Sequence, residues 1–135
     1  MKIELPLFYG SGKVKTHLVP SLNVMLAEHF RKRMARKRLL TILCLEMNLE
    51  PIKGSYSVSY TSYRVRPLDS LDNLGASLKT IMDVLQDIKV IGGDSRDFII
   101  ERNIFTDQIK VKAKAEERFV LEILPIEQKG QREFF

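Results

Sequence analysis

The stretch DSLDNLGASLKTIMDVLQD, residues 69–87, carries the clearest structural signal of this 135-residue chain. Its apolar residues recur at intervals of three and four, which is the spacing of one face of an α-helix. This apolar stripe consists of Leu71, Leu74, Leu78, Ile81, Leu85 and Ile88. We therefore predict an amphipathic helix from about Asp72 to Asp87, with the stripe packed against a core.

Carboxylates crowd the beginning of this predicted helix. Asp69 and Asp72 lie where a strand runs into the helix, and a second acidic turn follows at residues 92–97. Carboxylates repel one another, so clustering them costs stability unless a cation neutralises them. Taken singly, an aspartate at a helix N-terminus is a common cap, but together the acidic turns favour a Mg²⁺ site. Residues at a spacing of four, three and four share the polar face of the helix, namely Asp72, Ala76, Lys79 and Asp83.

Strand patterns surround two predicted helices. In chain order, the predicted strands are Lys2–Phe8, Lys15–Val19, Ser55–Arg66, Phe98–Phe105, Lys110–Lys114 and Arg118–Leu124. Pro6 has no backbone N–H to donate, so it places the first strand at the edge of a sheet or at its exit. The order ββαβαβ(β)β predicts a small single α+β domain, in which a mixed sheet of about four to six strands packs with two main helices.

The third of these strands changes its pattern midway. Aromatic and β-branched residues fall first on one side of the strand and then on the other. The first side carries Tyr56, Val58 and Tyr60, and the second carries Tyr63 and Val65. Such a change predicts a bulge or a strand that passes out of the core.

The first predicted helix is strongly basic. Ser21 or Asn23 caps it, and it runs to about Asn48. A stripe at helical spacing predicts its buried face, which consists of Leu26, Phe30, Met34, Leu39, Ile42, Leu43 and Met47. Cations fill six of the eight positions from 31 to 38, namely Arg31, Lys32, Arg33, Arg36, Lys37 and Arg38. Two interpretations stay open, a solvated helix surface and a patch that contacts phosphate groups.

The composition agrees with a soluble domain that binds a polyanion. The net charge is +5, while hydrophobic residues make up 44% and charged residues 29% of the chain, an ordinary globular balance. The single cysteine, Cys44, lies in an apolar run, so we interpret it as a small buried hydrophobe. We expect residues 1–127 to form the domain and residues 128–135 to form a flexible tail.

The cellular location follows from two missing signals. No apolar run reaches the roughly 20 residues of a membrane span. The first residues also lack the basic and apolar regions of a signal peptide. We expect a cytoplasmic protein without a membrane partner.

The acidic segment resembles the signature of the RusA family of Holliday-junction resolvases. The family signature reads Asp-x-Asp-Asn-Leu, followed by a lysine and Asp-Ala-Leu on the next helix, and then by a hydrophobic pair and Asp-Asp. The matching residues here are Leu71-Asp72-Asn73-Leu74, Lys79, Asp83-Val84-Leu85 and Val90-Ile91-Gly92-Gly93-Asp94-Ser95. The detailed match covers about 30 residues, and the order of elements is similar over most of the chain.

This resemblance implies a small homodimeric, Mg²⁺-dependent endonuclease, of a family often found in phages, that cuts four-way DNA junctions symmetrically. Such a protein acts in the cytoplasm of a bacterium or of a phage-infected cell. Asp72 and Asp94 match two of the metal ligands, and Asp69 is the expected third. Lys79 is the expected phosphate-positioning cation. The residues expected to bind branched or duplex DNA are Arg31, Lys32, Arg33, Arg36, Lys37, Arg38, Arg64, Arg66 and Asn73.

Three departures from the family signature keep other functions open. Ser70 stands where the first motif aspartate belongs, and Asp69 reaches that place only through a bulge. Lys79 comes three residues late, with Ala76 at the usual position, and Gly93 replaces one member of the later acidic pair. One alternative is a non-catalytic DNA-binding protein of the same fold. Another is a basic accessory factor that binds a protein.

Overall fold

A mixed four-stranded β-sheet organises the protein in the computed structural model, which describes residues 1–10, 15–69, 71–92 and 99–126. Its strands, in spatial order, are β1 (Lys2–Pro6), β6 (Arg118–Pro125), β4 (Tyr56–Arg64) and β5 (Ile99–Lys110). β6 lies antiparallel to both β1 and β4, whereas β4 and β5 are parallel. A small antiparallel sheet pairs β2 (Phe8–Tyr9) with β3 (Thr16–His17). The predicted α+β class is confirmed.

The helix predicted from residues 69–87 is confirmed as α3 (Leu71–Asp87). Its stripe is buried at Leu74, Leu78, Ile81 and Leu85, and Ile88 packs half-buried at its end. α3 connects the parallel strands β4 and β5, since parallel neighbours need a crossover. The inward side chains of β6 complete this core with Phe119, Leu121 and Ile123.

The predicted change of face in β4 is wrong. Its burial alternates without interruption from Tyr56 to Arg64, so the inward face continues through two polar residues, Ser62 and Arg64. The irregular pairing with β5 lies earlier, between Tyr56 and Val58. A polar inward end, rather than a bulge, explains the pattern of the sequence.

The strands near the C-terminal end also differ from the prediction. β5 runs without a break to Lys110, and the predicted strand over Lys110–Lys114 is absent. A 3₁₀ turn at Lys114–Glu116 leads instead into β6. The predicted tail, residues 128–135, lies outside the described residues.

The first predicted helix is in fact two helices. α1 (Leu22–Ala27) is capped by the hydroxyl of Ser21, which accepts from the N–H of Val24 at 3.3 Å. Glu28 ends α1 in an extended conformation, and His29 caps α2 (Phe30–Glu46) by accepting from the N–H of Arg31. The chain therefore bends at Glu28–His29, which the apolar periodicity did not predict.

The bend turns α2 so that half of its predicted stripe faces outward. The buried residues of α2 are Arg36, Leu40 and Cys44. Leu39, Leu43 and Met47 pack half-buried at the margin of the core, as members of the predicted stripe. The other members are exposed, and the prediction is wrong for Leu26, Phe30, Met34 and Ile42.

None of the described helices is long and apolar enough to cross a membrane. Cys44 is buried as expected. Burial raises the pKa of the Cys44 thiol to about 11, which keeps it protonated at neutral pH.

A matched pair of substitutions in α2 tests this orientation. Leu40 is fully buried and Leu45 is 57% exposed. We expect Leu40→Ala to lower the free energy of unfolding by about 2–5 kcal/mol, because it removes buried methyl groups and leaves a cavity. Leu45→Ala should change it by less than about 0.5 kcal/mol, as at an ordinary surface position. Urea unfolding measures both; equal losses would contradict the orientation of α2.

Candidate acidic site and nucleic-acid interface

Hydrogen bonds from other elements hold the connection between β4 and α3. The carboxylate of Glu117 accepts from the N–H of Val65 at 3.1 Å. The side chain of Gln108, on β5, accepts from the N–H of Leu68 at 2.7 Å and donates to its carbonyl at 3.2 Å. These contacts fix the backbone immediately before Asp69, whose side chain is exposed.

Asp72 lies exposed in the first turn of α3, where the helix dipole favours a carboxylate. Its neighbour Asn73 points the other way and is buried. The Asn73 side-chain oxygen accepts from the N–H of Asn23 at 3.2 Å and so joins α3 to α1. Asn73 is therefore a structural residue, and its burial removes it from the predicted DNA contacts.

The predicted metal triad is described only in part. Asp69 and Asp72 present exposed carboxylates at the start of α3, and carboxylate oxygens are ligands that Mg²⁺ favours. Asp94 and Ser70 lie outside the described residues. Among the residues that are described, no three acidic, histidine or cysteine side chains come together as a metal site.

Lys79 stays on the predicted polar face of α3. Its ammonium lies 3.3 Å from the carboxylate of Asp83, one turn further along, and both side chains are exposed. It also lines a cleft of about 350 Å³ between the helices, with Arg33, Arg36 and Lys37 on the α2 side. The fold therefore brings Lys79 together with three of the predicted DNA-binding residues of α2. Asp72 does not line this cleft.

Five of the six predicted cations of α2 are exposed. Arg33 donates to the carbonyl of Met25 at 2.6 Å, and Lys37 lies 2.7 Å from the carboxylate of Asp87. The hydrogen bond with Asp87 raises the pKa of Lys37, which keeps it charged. In the described part of the chain, the remaining three cations make no ion pair; they are Arg31, Lys32 and Arg38.

Arg36 is the one buried cation among the six predicted DNA-binding residues of α2. Its guanidinium forms a buried ion pair with the carboxylate of Glu28, and its Nε donates to the carbonyl of His17 at 2.6 Å. Burial lowers the pKa of His17, although the nearby Glu28 carboxylate opposes that effect. Arg36 borders the cleft, but its side chain is only 4% exposed and its guanidinium is paired with Glu28, which removes it from the predicted DNA contacts.

Arg64 is likewise buried and serves the fold. It donates to Ser62 Oγ at 2.7 Å and to the carbonyl of Val19 at 3.1 Å. Ser77 of α3 joins the same group, since its hydroxyl lies 2.6 Å from the Tyr60 hydroxyl and donates to Val19 at 2.8 Å. Burial lowers the pKa of Arg64 and raises that of Tyr60. Arg64 is therefore not a DNA contact, whereas Arg66 is exposed.

Sequence signals for these buried residues differ in strength. The alternation Tyr56, Val58, Tyr60 extends directly to positions 62 and 64, so strict period-two counting finds Arg64. Arg36 lies in one row with Leu40 and Cys44 at a spacing of four, a weaker signal that the larger apolar residues of α2 obscure. Its partner Glu28 lies at the bend, outside α2, so no helical periodicity links Glu28 to Arg36.

No model of a known protein family matches this chain, and no curated protein matches it.

Proposed function

We propose that this protein binds branched or duplex DNA and cleaves four-way junctions with Mg²⁺, as a RusA-like endonuclease of the bacterial or phage-infected cytoplasm. The observation that supports this proposal most strongly is the placement of cations at the beginning of α2. Arg31 and Lys32 lie in its first turn, exposed and without an ion pair in the described part of the chain.

This placement costs stability. The N-terminus of a helix carries a positive partial charge, so each cation there is unfavourable by roughly 0.3–1 kcal/mol. No acidic residue in the first turn of α2 offsets it. A phosphate group reverses the sign of this effect, because it is attracted both by the helix N-terminus and by the side chains. Binding a polyanion thus explains the cations better than stability does.

The cleft between α2 and α3 extends the cationic surface to Lys79, the proposed phosphate-positioning residue. Arg33 and Lys37 contribute from α2, and Lys79 contributes from α3. The ion pairs of Lys37 with Asp87 and of Lys79 with Asp83 are exposed, so a phosphate replaces these carboxylates at little cost. In this arrangement the DNA backbone passes from α2 onto the polar face of α3.

Asp69, Asp72 and Asp94 are the proposed Mg²⁺ ligands, and their oxygen donors suit this cation. When bound, Mg²⁺ activates water and stabilises the leaving oxygen of a phosphodiester. Lys79 positions the phosphate as a point charge. A homodimer presents two such sites, as symmetrical cleavage of a junction requires.

A second candidate function is DNA binding without cleavage. Ser70 stands where the resemblance expects a metal-binding aspartate. Lys79 is already neutralised by Asp83. Both observations weaken the catalytic centre without affecting the cations of α2.

The DNA-binding proposal predicts opposite effects on stability and on affinity. We expect Arg31→Glu combined with Lys32→Glu to raise the free energy of unfolding by about 1 kcal/mol, because the new carboxylates suit the helix dipole. The same variant should bind a DNA duplex at least about tenfold more weakly and show a smaller salt dependence, because phosphate contacts are lost. Urea unfolding and fluorescence anisotropy at several salt concentrations measure both effects.

A control variant distinguishes a loss of DNA affinity caused by changing the α2 site from one caused by lowering the total positive charge. Lys110→Glu combined with Lys112→Glu makes the same charge change at exposed positions away from α2. If this control loses as much DNA affinity as the α2 variant, the interface on α2 is wrong.

The cleavage proposal is tested with a synthetic four-way junction and Mg²⁺. We expect wild-type protein to cleave it and Asp72→Asn to bind without cleaving, because a metal ligand is lost. Glu122→Gln, the same chemical change at an exposed position on β6, should cleave like wild type. Binding without cleavage by wild type establishes the second candidate function, and equal cleavage by Asp72→Asn shows that the reaction centre lies elsewhere.

A further inference from the structure

We propose that the outward face of α2 is a docking surface for an acidic amphipathic helix of a partner protein. This outward face consists of Phe30, Met34, Arg38, Ile42 and Leu45, with Arg31 beside it. The members follow spacings of four, four, four and three, so they form one stripe of the helix. The stripe runs along nearly all of a 17-residue helix, roughly 25 Å.

Large apolar side chains dominate this stripe although solvent surrounds them. Phe30, Met34, Ile42 and Leu45 are each between 48% and 60% exposed. They lie on the side of α2 away from its buried row, so the described part of the chain does not cover them. A single exposed apolar residue is ordinary, but four large ones along one face of a helix mark an interaction surface.

The charges on the outward face require a partner of opposite sign. Arg38 lies in the middle of the stripe and Arg31 at its beginning, and neither has an ion pair among the described residues. Glu46 is the only acidic residue of α2, and it is at the last position. A partner that covers the apolar side chains must therefore bring carboxylates to meet the two arginines.

A second copy of this chain does not meet that requirement. If two α2 helices pack antiparallel around their middle, the two Arg38 side chains meet. If they pack parallel in register, Arg38 and Arg31 each meet their own copy. Like charges brought together at an interface cost free energy, so both arrangements are disfavoured.

DNA can pair with the arginines of the outward face but cannot cover its apolar side chains. Its phosphates satisfy Arg31 and Arg38 but leave the four large apolar side chains against a polar, hydrated surface. A partner helix satisfies both, since its apolar residues at a spacing of three and four interlock with those of α2, while carboxylates on either side reach the arginines.

Docking of the acidic helix also affects DNA binding, a consequence that rests on the proposed function. Arg31 and Arg38 are shared between the outward face and the proposed DNA interface. An acidic partner and DNA therefore exclude one another, and the partner inhibits DNA binding. The docking itself requires no DNA and is measured without it.

The test uses the full chain and a synthetic helical peptide as the probe. The peptide carries leucine at a spacing of three and four with glutamate elsewhere; one comparison peptide has the same composition in scrambled order, and another has lysine in place of glutamate. We expect wild-type protein to bind only the first. Met34→Gln combined with Leu45→Gln should weaken binding at least about tenfold. Leu124→Gln, an equally exposed apolar position on β6, should leave it unchanged.

Charge reversal supplies the most specific result. Arg38→Glu should lose the glutamate peptide and gain affinity for the lysine peptide. Equal binding of all variants, or no binding of the glutamate peptide, overturns the proposal. Self-association of wild type that Met34→Gln with Leu45→Gln abolishes, seen by sedimentation, also overturns it in favour of a second copy. Each outcome is independent of DNA affinity, so the proposed function stands or fails separately.

Discussion

The buried ion pair between Arg36 and Glu28 constrains the rest of the structure. It connects the end of α1 to the middle of α2, and Arg36 also donates to the His17 carbonyl of β3. A charge without a partner in an interior is very costly, so both side chains must face inward together. That requirement fixes the bend at Glu28–His29 and the rotation of α2 about its axis.

The rotation of α2 determines which residues are available for function. With Arg36, Leu40 and Cys44 turned inward, the exposed cations are held at the helix N-terminus and along the cleft that Lys79 lines. The same rotation exposes an apolar stripe centred on Arg38. The proposed DNA interface and the proposed partner surface are thus two results of one buried contact.

The periodicity of the sequence predicts correctly the buried faces of those elements that pack through apolar side chains. α3 and β6 follow their periodicities, since Leu78, Leu85 and Leu121 gain most by burial. The prediction of the buried face of α2 is wrong because an ion pair, rather than apolar residues, determines which face is turned inward. The acidic residue of that pair, Glu28, lies outside α2 at the bend. The prediction that Arg64 contacts DNA is wrong for a related reason, because a buried polar network, rather than apolar side chains, fills the inward end of β4.

The unfolding free energy of two conservative variants tests the role of the Arg36–Glu28 pair most directly. Glu28→Gln keeps the shape of the side chain but leaves Arg36 charged and unpaired, and we expect a loss of about 3–5 kcal/mol. Asp87→Asn makes the same change in the exposed pair with Lys37, where the loss should stay below about 1 kcal/mol. Equal losses in the two variants would contradict the view that the buried pair sets the orientation of α2.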